Sequence, residues 1–510
     1  MMPNPPVTTL ISAGLAFPDP TGPPRRDFAV AVTGARIVAA GPSAEVRAAY
    51  PTASLTGGAP YVMLPALVNS HDHGRGLGTL PLGVRDDLLE LWLPGLWAQP
   101  PLDPYLAALY DGLLLLRAGV GTVAHSHNPR DWRQIDLEAA ATIRGYRDAG
   151  LRVAFHPPLV DQNPLLYAGH ADFLASLPPA LRRAATPFLA TPPLTRDEYL
   201  GLCSDLLHRF HDPLDHTVHV QLSPAGGPWC SDELIADAVA FARSHGTRVQ
   251  MHLLETRYQR AYAHQRWGVS FPQHLDAIGA LGPWLTLAHM VWVARDDLPL
   301  LAERGVGVAH NPSSNLRLRS GIAPLRAMLA AGVQVGIGLD GQALDDDQDM
   351  LRELRLAWSL ADLADPGAEP LPAATILALG TAGGAAITFG PTAPLGRLAP
   401  GALADLVLVS RDTGPGGWAL ALDRPALAGA RTDQPLALLL RGASRRNVAA
   451  VMVGGRWMVR AGRVTTQDEA AVARAVAAEL DRPATTARRE LAATARALAP
   501  YLRRFYQHWE

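Results

Sequence analysis

Between residues 69 and 339 the chain repeats one pattern, and this repetition constrains the fold more than any other feature. Short runs rich in β-branched residues follow helical stretches. Gly119–His125 follows Leu106–Arg117, Leu151–Phe155 follows Leu137–Ala149, Thr217–Leu222 follows Tyr199–Phe210, and Thr247–His252 follows Glu233–Ser244. Trp284–His289, Gly305–His310 and Val333–Leu339 complete the series, and a run from Tyr61 to Asn69 opens it. Strands separated by helices predict parallel pairing, because parallel neighbours need a long crossover and a helix usually supplies it. Eight such strands predict an α/β fold, a (β/α)8 TIM barrel with its chemistry at the C-terminal strand ends.

Further strands lie outside the series: Thr8–Phe17 and Phe28–Ala39 before it, and Ala404–Val409, Asn447–Val453 and Gly455–Val459 after it. With eight barrel strands already assigned, these predict a second, small β-sandwich domain built from both chain ends, residues 1–62 and 392–465. The barrel then occupies 63–391. Residues 466–510 are rich in Ala and Arg at helical spacing. They predict a C-terminal helical extension packed across the barrel or a partner subunit, and a homodimer or higher homo-oligomer is expected.

What is missing narrows the chemistry. The 510 residues include 45 basic ones, and every one is Arg. Without Lys there is no Walker A loop, no Schiff base to pyridoxal phosphate or substrate, and no kinase strand lysine. Two cysteines, Cys203 and Cys230, exclude a disulfide framework and a Cys-rich zinc site. A net charge of −2 gives no basic excess for nucleic acid. The start has no basic n-region, and apolar runs break before about 18 residues. No membrane association and a cytoplasmic location are expected.

The strand ends carry the remaining signal. The first ends in His71-Asp-His73, and two His at i and i+2 on a strand face the same side. The fifth ends at His252, with Glu255 three residues on; the sixth ends at His289; the eighth runs into Asp340. Imidazoles and a carboxylate on one rim make a cation site suited to zinc or iron. Gly336-Ile-Gly338-Leu-Asp-Gly341 spells GxGxxG, but it lies on the eighth strand, and Asp345-Asp346-Asp347 after it would repel a pyrophosphate.

In this order the segments resemble the amidohydrolase superfamily, nearest its cytosine deaminase, guanine deaminase and triazine hydrolase branch. The resemblance rests on His71-Asp-His73, Arg85-Asp-Asp-Leu-Leu-Glu-Leu-Trp92, Gln250-Met-His252-Leu-Leu-Glu255-Thr256 and Leu287-Ala-His289. It extends through His310-Asn-Pro-Ser-Ser-Asn315, Gly338-Leu-Asp340-Gly341 and Gly396-Arg-Leu-Ala-Pro-Gly401 with Ala404-Asp405. It departs from the family at Leu339, Asn311, the Gly- and Arg-rich Gly74–Gly78 and the long stretch from Pro157 to His216. Binuclear members bridge two metals through a carboxylated Lys, which this chain lacks. One divalent metal per subunit, zinc or iron, is therefore expected on His71, His73, His252 and Asp340, with Cys230 a remote bridging alternative.

The resemblance implies a hydrolytic deaminase of an aminated N-heterocycle of purine, pyrimidine, pterin or triazine type. Asp340 would accept a proton from water, Glu255 would shuttle protons to the ring and the leaving amine, and His289 would stabilise the oxyanion or the water. Displacement of chloride or alkylamine, or opening of a cyclic amide, remains open on the same site, as does a non-catalytic scaffold. The small-molecule substrate is expected to meet Arg75, Trp92, Gln221 and Asn315. Weaker candidates are His125, His127, His310, Trp97, Trp292 and Arg257. The two departing segments, Gly74–Val84 and Pro157–His216, are expected to cover the pocket, the second competing with a role in subunit contact.

Overall fold

A computed structural model describes residues 8–100, 102–411, 417–422, 434–507 and 509. Parts of the expected small domain and of the tail therefore lie outside the described residues: 1–7, 412–416, 423–433, 508 and 510. Among the described residues, no helix is long and apolar enough to cross a membrane.

Eight parallel strands carry the site: β1 (Leu67–Asp72), β2 (Val120–Ser126), β3 (Arg152–His156), β4 (Val218–Val220), β5 (Val249–Leu253), β6 (Leu285–His289), β7 (Gly307–His310) and β8 (Gln334–Ile337). They form two four-stranded sheets, in the orders β1-β2-β3-β4 and β5-β6-β7-β8. Backbone hydrogen bonds join the two at both margins. Leu222, past β4, donates to Arg248 O and accepts from Gln250 N at 2.9 Å each, and Asp340 N donates to His71 O at 2.9 Å. β1, β2 and β3 are buried along their whole length, as parallel strands covered on both faces must be.

A third sheet of eight strands draws on both chain ends. Its order is Arg463–Val464, Arg456–Arg460, Val448–Val453, Leu406–Ser410, Ser54–Pro65, Thr8–Ala16, Arg25–Thr33 and Arg36–Pro42. Phe28, Val30, Met63, Leu406 and Met452 share one buried cluster, so the N-terminal and returning strands close over a common core. A buried bidentate ion pair ties this sheet to the parallel strands: Arg152, at the start of β3, meets Asp405 at 2.6 and 2.8 Å.

Two expected strands divide. Tyr61–Asn69 splits at Ala66: residues through Pro65 belong to the third sheet and β1 begins at Leu67. Pro65 has no N–H with which to continue a ladder. Phe28–Ala39 turns at Gly34, whose φ of 59° is cheap only for glycine, and becomes a hairpin.

The C-terminal residues form two helices, Glu469–Leu480 and Thr486–Tyr506. The second buries Leu498, Leu502 and Tyr506, spaced four apart on one face. Tyr506 packs against the rings of Tyr258 and Tyr167, with centroids at 4.7 and 5.8 Å, and Arg503 pairs with Asp87.

Candidate active site

The strand period brings His71 and His73 to one side of β1, and β5, β6 and β8 deliver His252, His289 and Asp340 to the same place. The ligand atoms of His71, His73 and His252 lie within 4.8 Å of one another, as do those of His71, His289 and Asp340. His73 Nε2 is 3.2 Å from His252 Nε2. Asp340 Oδ1 is 3.5 Å from His71 Nε2 and 3.2 Å from His73 Nε2, and its Oδ2 is 3.9 Å from His289 Nε2. Gly338 permits this approach, because a Cβ there would fall 2.8 Å from that of His71. Gly74, at a φ of 59°, similarly makes room for His125.

The opposite ring nitrogens decide what the Nε2 atoms do. His71 Nδ1 faces Gln250 Oε1 at 2.7 Å, His73 Nδ1 faces Ser126 O at 2.9 Å, His252 Nδ1 faces Ala225 O at 2.6 Å, and His289 Nδ1 faces Asn315 Oδ1 at 3.0 Å. Amide nitrogens also approach two of these rings, Asn128 Nδ2 at 2.6 Å from His73 Nδ1 and Asn311 Nδ2 at 3.3 Å from His289 Nδ1. The backbone carbonyls of Ser126 and Ala225 accept whichever way the amides are turned, so His73 and His252 carry the hydrogen on Nδ1. With the Gln250 and Asn315 oxygens facing His71 and His289, those rings do the same, and each Nε2 is left with a lone pair. Burial holds His73 and His252 well below the usual histidine range and brings His289 down to about 4, so these rings are neutral at pH 7.

His71 Nε2 and Asp340 Oδ1 are buried with no hydrogen-bond partner. Lone pairs converging on a carboxylate, with no donor between them, are satisfied by a cation, and this N/O donor set fits zinc or ferrous iron.

These groups open onto a cavity of about 720 Å³, within the range of small-molecule sites. Glu255 lines it and is buried. Burial, and then the charges of Asp340 and Glu90, push its carboxyl well above the usual range. Its Oε2 is 3.7 Å from His289 Nε2.

Of the residues expected to meet substrate, Arg75 and Trp92 line this cavity. The Arg75 guanidinium sits over Trp92, 5.3 Å from the ring centroid, and so covers a face of the ring expected to stack on substrate. Gln221 and Asn315 lie outside the lining. Gln221 is held away from the cavity, donating to Thr388 O at 2.6 Å and meeting His156 Nε2 at 3.1 Å. Asn315 is turned toward His289. His125, His127 and Trp97 line the cavity, whereas His310 does not and Trp292 donates to Ser320 O. Arg257 stacks on Tyr258. Cys230 Sγ donates to Leu159 O and does not line the cavity. Both departing segments reach the cavity, the first through Gly74 and Arg75, the second through Pro158, Val160, Pro164 and Thr191.

Sequence reasoning missed two features. Glu90 is buried and accepts from Tyr167 Oη at 2.8 Å and Thr256 Oγ1 at 2.5 Å. An acid inside the apolar run Leu88–Leu93 was the available signal. Arg488 and Leu491 of the C-terminal helix also line the cavity; an amphipathic helix shows that it covers something without showing what.

The amidohydrolase family matches residues 62–458, and the chain belongs to that family. A bacterial imidazolonepropionase-like composite domain matches residues 29–53. A 5-methylthioadenosine/S-adenosylhomocysteine deaminase of Desulforudis audaxviator is 31% identical over 451 residues, covering 87% of this chain and 92% of the relative. An 8-oxoguanine deaminase of Pseudomonas aeruginosa is 31% identical over 447 residues, covering 83% and 88%. Among solved structures, an adenosine deaminase from Xanthomonas campestris with bound zinc superimposes with a TM-score of 0.75 at 27% identity, covering 94% of this chain and 99% of that one.

Proposed function

We propose that this protein is a hydrolytic deaminase of an aminated N-heterocycle and uses one zinc ion held by His71, His73, His252 and Asp340. The observation that carries the reading is the pairing of two unlike carboxyl groups beside the four Nε2 lone pairs. Asp340 faces the imidazoles, and buried Glu255 faces the cavity with a raised pKa. Environments that push two carboxyls apart assign base and acid. The deaminase names of the relatives fit this division. We also read the two parallel sheets as halves of one closed (β/α)8 barrel, residues 63–391, joined at the hydrogen bonds beside Leu222 and Asp340, and the third sheet as a composite domain from 1–62 and 392–465.

Bound zinc supplies a water nucleophile near neutral pH and a Lewis acid for developing charge. The chain's own groups do the rest. Asp340 accepts the proton of the attacking water. His289, its Nδ1–H fixed on Asn315, offers the Nε2 lone pair and orients that water; this tautomer accepts and does not donate to an oxyanion. Glu255 gives its proton to the ring nitrogen beside the carbon under attack; as carboxylate it takes the proton of the added hydroxyl and passes it to the departing amine, and the proton held by Asp340 then restores its acid form.

The test is ammonia release by the zinc-loaded protein across purines, pyrimidines, pterins and triazines, with metal analysis on the same sample. Release from one class with one metal per chain is expected. No release from any class overturns the deaminase reading, and two metals per chain overturn the mononuclear site.

A further inference from the structure

The cavity wall beside the imidazoles carries a cation that the reaction above does not use. Arg75 lies two residues past His73, and its backbone nitrogen is 3.8 Å from the point where a Cβ on Gly341, the neighbour of Asp340, would fall. Arg75 is half-buried and lines the cavity. Its Nη1 is buried with no hydrogen-bond partner. Among the described residues no carboxylate comes within ion-pair distance of the guanidinium. It rests on the face of Trp92, which attracts the charge and leaves the N–H groups without acceptors.

Three carboxyls are near enough for their charges to act on Arg75, those of Asp340, Asp72 and Glu255, and each is committed elsewhere. Asp340 faces the Nε2 atoms of His71 and His73. Asp72 accepts from Asn69 Nδ2 at 2.5 Å and from Gly74 N at 2.7 Å. Glu255 is buried with its carboxyl pushed well above the usual range, which favours the uncharged acid.

A guanidinium stays charged at pH 7 whatever surrounds it. Burial lowers its pKa here, and the three acids raise it by less. The fold thus holds a charge beside the reacting centre at some cost, and loading the metal site adds positive charge to the same wall. Buried polar groups left unpaired are costly, and charged ones more so. A ligand that brings acceptors to Arg75 therefore supplies what the chain withholds.

We infer that Arg75 binds an oxo group on the substrate ring, which makes the preferred substrate an amino-oxo heterocycle of lactam type and not an amino heterocycle without ring oxygen. A guanidinium presents its N–H donors in one plane, and a lactam oxygen with the ring edge beside it offers acceptors in one plane. A C–H at the same ring position offers no acceptor and leaves the charge desolvated. The oxygen belongs to the ring and not to a remote substituent, because the charge of Arg75 acts on His73, Asp340 and Glu255, the groups around the reacting carbon. The inference rests on the deaminase reading for the ring, and on the unpaired guanidinium for the oxygen.

The test measures affinity by calorimetry on zinc-loaded Glu255→Gln, which binds substrate without turning it over. The ligands are matched pairs with the amine on the same carbon and one oxo group of difference: isoguanine against adenine, guanine against 2-aminopurine, and cytosine against 4-aminopyrimidine. In at least one pair the oxo compound should bind about 10–100-fold more tightly. Adding Arg75→Met, which keeps an unbranched stem over Trp92 and removes the charge, should bring that ratio to within about twofold. Equal binding within every pair overturns the inference and leaves the deaminase reading standing, and so does a preference that survives Arg75→Met. Binding of none of the compounds overturns the heterocycle reading, and the inference with it. Thermal unfolding of the apo-protein separates a binding role from a structural one. Arg75→Met should keep or raise the unfolding midpoint, since it removes a buried charge that lacks a partner. A lowered midpoint makes Arg75 part of the framework and overturns the inference.

Discussion

Gln250 braces His71, a ligand of the proposed metal site, and gives the sharpest test of its geometry. It is buried between His71 and Ser70, accepting from His71 Nδ1 at 2.7 Å and donating to Ser70 O at 3.0 Å. Gln250→Leu keeps most of the volume and removes both contacts. Two buried polar groups lose partners, at about 1–3 kcal/mol each, so the apo-protein should lose about 2–6 kcal/mol out of a total of roughly 5–15. The His71 ring is also freed to rotate and to change tautomer. Loss of such an outer partner costs about 10–100-fold in metal affinity, or about 1.4–2.7 kcal/mol. Competition with a chromophoric chelator measures the zinc Kd, and thermal unfolding with and without zinc separates the two effects. Gln250→Glu keeps the acceptor for His71 and loses the donor to Ser70, so it should restore affinity more than stability. If Gln250→Leu folds and binds zinc with the wild-type Kd, then His71 is not oriented by this bond, and the argument that all four Nε2 atoms are lone pairs fails.

Three further outcomes are expected. Glu255→Gln should keep its zinc and its fold while kcat falls about 10²–10⁴-fold; more than a tenth of wild-type turnover would remove Glu255 from the proton path. Asn315→Leu takes the acceptor from His289 Nδ1 and should lower kcat by about 10–100-fold with little change in KM, whereas a substrate-binding role would raise KM instead. Buried histidines should withdraw stability from the apo-protein on acidification below pH 6.5, against buried carboxyls that add it, with Asp72 raised to about 6 and Glu353 to about 7. Burial brings His127 to about 3, His156 to about 4 and His310 to about 3, so the unfolded chain takes up protons first as pH falls. Each of the three withdraws about 1.4 kcal/mol per pH unit between the two pKa values, and denaturant titrations of wild type and His310→Gln at pH 7 and pH 5 read one such contribution as the difference in their pH dependence.

The cluster of the candidate metal site was legible because its signals are local. A two-residue period places His71 and His73 together whatever surrounds them, and a strand end is recognisable by where its β-branched run stops. The absence of Lys excludes a carboxylated bridge without any structure. Residues whose roles depend on which way a side chain turns were not legible. Asn315 and Gln221 look alike in sequence, both amides near strand exits, yet one orients His289 and the other binds Thr388 O and faces His156, off the cavity. Gln250 lies two residues before His252 on β5, and nothing in the sequence says that its amide reaches β1. The break between Pro65 and Leu67 was hidden by the continuous apolar run on either side of it.

Backbone strain at the rim ties these observations together. His289 and Asp340, the last residue of β6 and the first carboxylate past β8, have φ of 76° and 60°, and Leu254 beside Glu255 has 50°. Left-handed conformations at non-glycine residues cost about 1–3 kcal/mol each and persist only where the surroundings enforce them. The enforcing contacts are visible: Asp340 N bonds His71 O at 2.9 Å, Leu339 N bonds Asn69 Oδ1 at 2.9 Å, and Trp292 N bonds Leu254 O at 2.9 Å. At each of these places the chain leaves a strand and must turn at once into a loop. The side chain at the turn stays over the strand ends and is not carried outward with the backbone. The same turn that costs stability therefore aims the carboxylate and the imidazole at a common point. A glycine would relieve the strain at either position and would leave no side chain to aim.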